Sequence, residues 1–240
     1  MNIILLGYGK MGKIIGEIAE SRGHKILLKI DENNRDLLNS IDPKTVDVAI
    51  EFSQPEAAVQ NISWCLNHGI PVVSGTTGWL EKKPLMDRLA EEKGTGFFYA
   101  SNFSIGVNVF FKVNEFLAKL MNEVSGYEVS IEEIHHTAKK DAPSGTAITL
   151  AEGIIKNQER FTQWNLSEQA SENGQSIPIT SKRIDPAPGT HIIRYQSEID
   201  DIEISHTAHS RQGFALGAVL VAEWLPGKKG VLTMNDFLSF

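Results

Sequence analysis

The stretch Gly7-Tyr8-Gly9-Lys10-Met11-Gly12 constrains this chain more than any other, because of what flanks it. Asn2-Ile3-Ile4-Leu5-Leu6 before it is an unbroken apolar run, the pattern of a strand buried on both faces. Residues 13–21 after it space Ile14, Ile15, Ile18 and Ala19 along one helix face. Strand, Gly-x-Gly-x-x-Gly, helix is the opening unit of a parallel α/β sheet. Its first glycine permits the tight turn, its second lets the backbone approach a pyrophosphate, and its third lets the helix pack closely on the strand. The expected fold class is therefore α/β, with a Rossmann-type parallel-sheet dinucleotide-binding domain. Gly7, Tyr8, Gly9, Lys10, Met11 and Gly12 are its first candidate cofactor contacts.

The next elements follow the same plan. A strand over residues 24–30 ends at Asp31, nineteen residues past Gly12. An acid there accepts hydrogen bonds from an adenosine ribose, which favours NAD, whereas Lys29 and Arg35 are near enough in sequence to meet the 2′-phosphate of NADP. Both NADH and NADPH therefore stay open. Residues 46–52 form a third strand. Ser53-Gln54-Pro55-Glu56 reads as a capping box with an early proline, starting a helix that runs to Gly69. A fourth strand over 70–74 leads into Gly75-Thr76-Thr77-Gly78, and a fifth over 96–100, ending in Ala100, leads into Ser101-Asn102-Phe103-Ser104. Small or hydroxylated residues thus sit at the carboxyl ends of successive strands, where doubly wound sheets bind ligands.

After Ser104 the pattern changes. Residues 107–121 form a long apolar helix linking into a second domain, and residues 127–136 form a strand. Residues 158–176 are polar and read as a surface excursion anchored by Phe161 and Trp164. Three segments, 177–184, 191–198 and 202–209, read as strands in close succession, hence a mixed or antiparallel sheet. Its open face suits association with copies of itself. Residues 212–225 form an apolar helix rich in small residues, expected to return to the first domain. The expected organisation is residues 1–104 with 212–240 as the dinucleotide-binding domain, and 105–211 as an α+β substrate-binding and oligomerisation domain.

Between the strand at 127–136 and a helix at 147–156 lies the densest chemistry: His135-His136-Thr137-Ala138-Lys139-Lys140-Asp141-Ala142-Pro143-Ser144-Gly145-Thr146. Two imidazoles, two ammonium groups and the unpaired N–H groups of a helix start suit a multiply anionic small molecule. A histidine there is suited to giving and retaking a proton. Lys140 reads as a solvated neighbour and Arg211 as structural. His24, His68, His191, His206 and His209 read as surface or strand histidines rather than catalysts. No metal is expected.

Bulk properties exclude some roles. A length of 240 residues suits one or two domains with a substantial core, and 41% hydrophobic with 22% charged residues is ordinary for a globular protein. A net charge of −7 argues against general nucleic-acid binding. The single cysteine, Cys65, lies in an apolar helical pattern and forms no internal disulfide, which fits a reducing, cytoplasmic setting. The apolar start is too short for a signal peptide, and no run reaches membrane-spanning length.

On these motifs the chain resembles the 4-hydroxy-tetrahydrodipicolinate reductase family, formerly dihydrodipicolinate reductase, of the diaminopimelate route to lysine. The resemblance covers nearly the whole chain. It includes the glycine loop, Glu51-Phe52-Ser53-Gln54-Pro55, Gly75-Thr76-Thr77-Gly78, Ser101-Asn102-Phe103-Ser104-Ile105-Gly106-Val107-Asn108, and Ser210-Arg211 with Phe214-Ala215-Leu216-Gly217-Ala218. Its most specific part is the His-His-x-x-Lys-x-Asp-Ala-Pro-Ser-Gly-Thr run. The resemblance implies NAD(P)H-dependent reduction of a cyclic dicarboxylate with loss of water, by a cytoplasmic homotetramer. It implies cofactor contacts from the glycine loop, from Gly75, Thr76 and Thr77, and from Ala100, Ser101, Asn102 and Phe103. His135 is implied as proton donor, Lys139 as a second proton donor, and His136, Gly145 and Thr146 as substrate-binding. Many members carry Asp-Phe-Thr or Asp-Phe-Ser where this chain has Glu51-Phe52-Ser53. Many also carry Glu then Arg where it has Asp31-Glu32, so the coenzyme preference stays open. Two rivals are another two-domain dehydrogenase and a non-catalytic nicotinamide sensor. Cys65, mid-helix, does not suit an aldehyde-oxidising thiol, and a sensor has no need of a proton donor.

Overall fold

The structure, a computed structural model, describes residues 1–169 and 174–240. In chain order it begins β1 (Asn2–Leu6), α1 (Lys10–Ser21), β2 (Lys25–Ile30), β3 (Val48–Glu51), α2 (Pro55–Asn67), β4 (Val72–Ser74), α3 (Lys83–Lys93) and β5 (Gly96–Tyr99). It continues with α4 (Ile105–Met121), β6 (Glu128–His135), α5 (Gly145–Asn157), β7 (Gln163–Leu166), β8 (Ser176–Arg183), β9 (Gly189–Gln196) and β10 (Asp201–Ala208). It closes with α6 (Gln212–Trp224), β11 (Gly230–Leu232) and α7 (Met234–Leu238). Contacts divide the chain into two compact units, Met1–Ile105 with Gln212–Phe240, and Gly106–Arg211. Among the described residues no helix is long and apolar enough to cross a membrane.

The first unit is a six-stranded sheet in the order β11-β5-β4-β3-β1-β2, parallel throughout. The alternation along its central strands explains their unbroken apolar sequence. Ile3 and Leu5 of β1 join Val48 and Ile50 of β3 in a core with α1 and α6. Ile4 and Leu6 join Ala49 in an opposite core with α2 and α3. Each of these strands is buried on both faces, so successive positions are apolar until the carboxyl end, where β3 and β4 finish in Glu51 and Ser74. The helix α6 lies so close to the segment after β5 that a Cβ on Gly217 would fall 1.8 Å from the Phe103 carbonyl oxygen. The chain also adds β11 as a sixth strand beside β5, an element beyond the sequence reading, too short at three residues to show a pattern.

The topology reverses between β1 and β3, and the loops leaving those strands bound the crevice where such sheets bind ligands. Glu51, the last residue of β3, is fully buried there. Its carboxylate accepts from the Ser74 hydroxyl at 2.6 Å, the Thr76 hydroxyl at 2.8 Å, the Ser53 N–H at 3.1 Å and the Ser53 hydroxyl. One carboxylate thus ties the loops after β3 and β4 together. This overturns the expected capping box: the Ser53 hydroxyl serves Glu51, and α2 begins at Gln54-Pro55 without a side-chain cap.

The second unit is a five-stranded mixed sheet in the order β10-β9-β6-β8-β7. The β9–β10 and β6–β9 pairs are antiparallel, and β6–β8 and β7–β8 are parallel. Odd-numbered residues of β6 and β9 face a core built with α4 and α5, including Val129, Ile131, Ile193 and Tyr195. The expected surface excursion is partly sheet: β7 pairs with β8, and Phe161 is buried in the core. Residues 170–173 of that excursion lie outside the described residues.

A pH dependence follows from Glu51. Burial raises its pKa, and the bonds from Ser53, Ser74 and Thr76 only partly oppose this. The folded chain therefore holds this proton more tightly than the unfolded chain does. The associated stability is fully present below the ordinary carboxyl value of 4.5 and is lost as pH rises through the raised folded value. Urea unfolding of Glu51→Gln beside the parent, from mildly acidic to neutral pH, should show the variant gaining relative stability as pH rises. Parallel curves would contradict this account.

Candidate active site

Two sets of functional residues were expected, one in each unit. In the first unit, Gly7 turns the chain at φ +100°, and a Cβ there would meet the Phe52 carbonyl oxygen at 2.0 Å. Only glycine fits this turn between the loops after β1 and β3. Gly9 begins α1 with no side-chain cap, no acidic residue stands in the first turn, and nothing lies within 4 Å of where its Cβ would be. Uncapped N–H groups facing open space at a helix start fit a phosphate. The residues present at this helix start therefore suit the phosphates of a dinucleotide.

At the end of β2, Asp31 is exposed, and its carboxylate accepts a local bond from the Asn33 N–H at 2.8 Å. The nearby cations are engaged elsewhere. Lys29 pairs with Glu20 at 3.1 Å and lies over the Tyr8 ring, and Arg35 reaches Asn61 and the Gln60 carbonyl. Beyond β4, Gly75 lies against the Phe52 ring, where a Cβ would fall 2.2 Å from it. Thr76 is buried, donating to Glu51 and accepting from the Ser53 N–H at 2.8 Å, whereas Thr77 is exposed. After β5, Ala100 is buried, Ser101 is exposed, and Asn102 accepts the Ser104 N–H at 2.9 Å. The Phe103 ring is buried between Phe52 and Phe98, so its side chain packs the core.

In the second unit, strand alternation places Glu133 and His135 together on the buried face of β6. His135 is 8% exposed and Glu133 not at all. His135 Nδ1 lies 2.7 Å from Glu133 Oε2. Glu133 Oε1 accepts from the Ser144 N–H at 3.1 Å and from Arg183 Nη2 at 3.1 Å. Burial alone would raise the Glu133 pKa, but His135 and its other hydrogen-bond donors hold it far below the usual carboxylate range. Glu133 is therefore held toward its ionised form.

Ser144 caps α5 by accepting the Ala147 N–H at 3.2 Å, and its hydroxyl lies 3.1 Å from His191 Nε2. The α5 start carries Gly145, open where a Cβ would be, and Thr146, with no acidic residue in the first turn. Between His135 and Ser144 the loop is pinned at both ends. Thr137 binds the Asp185 carboxylate through its N–H at 3.1 Å and its hydroxyl at 2.6 Å, and Arg183 donates to the Asp141 and Lys139 carbonyls. Lys139 pairs with Asp141 at 2.7 Å, while Lys140 and Arg211 are exposed and His136 is half-buried.

His191 is a strand histidine, as one of the two readings had it, but not a surface one. It is 5% exposed, stands directly across from Glu133 on β9, and meets the His135 ring edge-on at 5.2 Å between centroids. Burial, with His135 beside it, pushes its pKa down to about 4, so the ring stays neutral at ordinary pH. The signal was available, since His191 shares its parity along β9 with the buried Ile193 and Tyr195. Arg183 was also missed. Its place beside His135 follows from the β6–β8 register, which joins residues forty-eight positions apart.

The sequence family described as dihydrodipicolinate reductase, N-terminus, matches residues 1–103, and dihydrodipicolinate reductase, C-terminus, matches residues 106–238. The chain is 52% identical over 241 residues to the 4-hydroxy-tetrahydrodipicolinate reductase of Christiangramia forsetii, covering 100% of this chain and 98% of that one. It is 34% identical over 253 residues to the enzyme of that name from Archaeoglobus fulgidus, with 96% of each covered. In fold it is similar to a dipicolinate-bound dihydrodipicolinate reductase from a Paenisporosarcina species, with a TM-score of 0.78, 23% identity and 99% of each chain covered. Matched in both halves and sharing about half its residues with a relative along its whole length, the chain belongs to the dihydrodipicolinate reductase family.

Proposed function

We propose that this chain reduces 4-hydroxy-tetrahydrodipicolinate to tetrahydrodipicolinate, with loss of water and with NADH or NADPH as reductant, in lysine biosynthesis through diaminopimelate. Family membership supports the reaction. The observation that carries the residue assignment is the buried His135 on Glu133, one short loop from the open, uncapped-by-acid start of α5. In this reading His135 supplies the proton and Lys139 serves as a second donor. His136 and the Gly145 and Thr146 N–H groups hold the substrate carboxylates, drawing on the affinity of helix starts for anions. Lys139 must leave Asp141, or share it, to serve the substrate.

Residues 1–104 with 212–240 take the dinucleotide-binding role, through Gly7, Tyr8, Gly9, Lys10, Met11, Gly12, Asp31, Gly75, Thr76, Thr77, Ala100, Ser101, Asn102 and the Phe103 backbone. The bound nicotinamide supplies the hydride. Residues 105–211 take the substrate role and the assembly role, the latter as a homotetramer through the mixed sheet. The single, buried Cys65 suits a cytoplasmic setting.

His135→Gln should cut kcat by about 10²-fold or more, the scale of general acid catalysis, while the Kd for NADH stays near the parent value; unchanged turnover removes His135 from the acid role. Lys139→Ala should lower kcat or raise KM for substrate, and normal kinetics in both would dismiss it. Titration of protein fluorescence with each coenzyme tests Asp31. With Lys29 and Arg35 engaged elsewhere, NADH should bind the more tightly, and a large preference for NADPH would contradict that reading.

A further inference from the structure

We infer that Glu133 is a positioning residue: it fixes the His135 ring with Nδ1 turned to the carboxylate, leaves Nε2 as the nitrogen that passes the proton, and ties that ring to the start of α5. The inference rests on the proposed role of His135 and goes beyond it by assigning the proton to one atom.

The carboxylate divides its two oxygens between two jobs. Oε2 meets His135 Nδ1 at 2.7 Å, and Oε1 takes the Ser144 N–H and Arg183 Nη2, each at 3.1 Å. The proton donor and the α5 cap are therefore held by the two ends of a single rigid group. Nδ1 and Oε2 stand at ion-pair distance with the N–H off the line of a good hydrogen bond, and a carboxylate this close to one ring nitrogen still favours the proton there and leaves Nε2 for chemistry. The surroundings of Nε2 agree. It lies against Gly189, where a Cβ would come within 3.0 Å of Nε2, so glycine keeps this side of the ring clear of a side chain. His191, packed edge-on against His135 and bonded through Nε2 to Ser144, adds no second charge to the site while it is neutral.

Glu133, His135 and His191 also place one donor atom each within 4.8 Å of one another, the composition of a metal centre. The observations favour positioning. Oε1 is already taken by the Arg183 guanidinium and the Ser144 N–H, and a cation beside the carboxylate disfavours a divalent ion there.

The direct test is ¹⁵N NMR of the histidine ring nitrogens in the full-length parent, with His135→Gln used to assign the His135 signals. The expected parent signature is that, whenever the ring carries a single proton, that proton sits on Nδ1. Glu133→Gln, which keeps the shape and removes the charge, should lose that single tautomer. It should also lower kcat about tenfold or more, a part of what general acid catalysis supplies, while the Kd for NADH stays unchanged. A neutral parent ring carrying its single proton on Nε2 rather than Nδ1 would overturn the assignment whether or not the variant folds. Parent-like kcat in folded Glu133→Gln would overturn it too, as would loss of parent activity on chelation with recovery on adding zinc. If His135→Gln itself keeps full turnover, the proposed function fails rather than this inference alone. If His135→Gln is inactive and Glu133→Gln is not, only this inference fails.

Discussion

A charged group without access to water must find its compensation inside the protein, and the second unit is arranged around that requirement at Glu133. Partners come to it from β6 itself, from β8 and from the cap of α5. Each is also a structural commitment. Arg183 reaches Glu133 and, with the same side chain, the carbonyls of Lys139 and Asp141, so the loop carrying the cationic residues is held by the group that neutralises the buried carboxylate. Removing the anion would leave Arg183, His135 and the Ser144 N–H short of a partner together. Stability and site geometry are therefore coupled here rather than separable.

Glu51 plays a comparable part in the first unit with different chemistry. It has no cation among its hydrogen-bond partners, only hydroxyls and an N–H, and burial accordingly shifts it toward the protonated form, opposite to Glu133. One buried acid gathers the loops that bound the dinucleotide crevice, and the other gathers the loop and helix start proposed to receive the substrate. In a chain of net charge −7, an anionic substrate needs cations placed locally. Arg183 and Lys139 bring cations to this part of the second unit, each paired with a carboxylate.

Much of this was legible in the sequence, for physical reasons. The parallel sheet announced itself because strands buried on both faces run as apolar stretches, and the glycine loop because Gly7 has no substitute where it meets Phe52. The strands β8, β9 and β10 were readable from their alternation and the turns between them. What escaped depends on partners distant in the chain. Ser53 looks like a helix cap until Glu51 claims its hydroxyl. Four residues of β7 become a strand only beside β8, and β11 only beside β5. His191 and Arg183 carry no local mark of function. They reach His135 through sheet register, which a one-residue slip would turn to the opposite face.

The central claim is that a dinucleotide unit and a buried acid serve one reduction, and it is tested most directly by following coenzyme oxidation. Purified full-length protein should oxidise NADH or NADPH when freshly generated 4-hydroxy-tetrahydrodipicolinate is added, with tetrahydrodipicolinate formed in equal amount. Coenzyme binding by folded protein with no oxidation in the presence of that substrate would contradict the account.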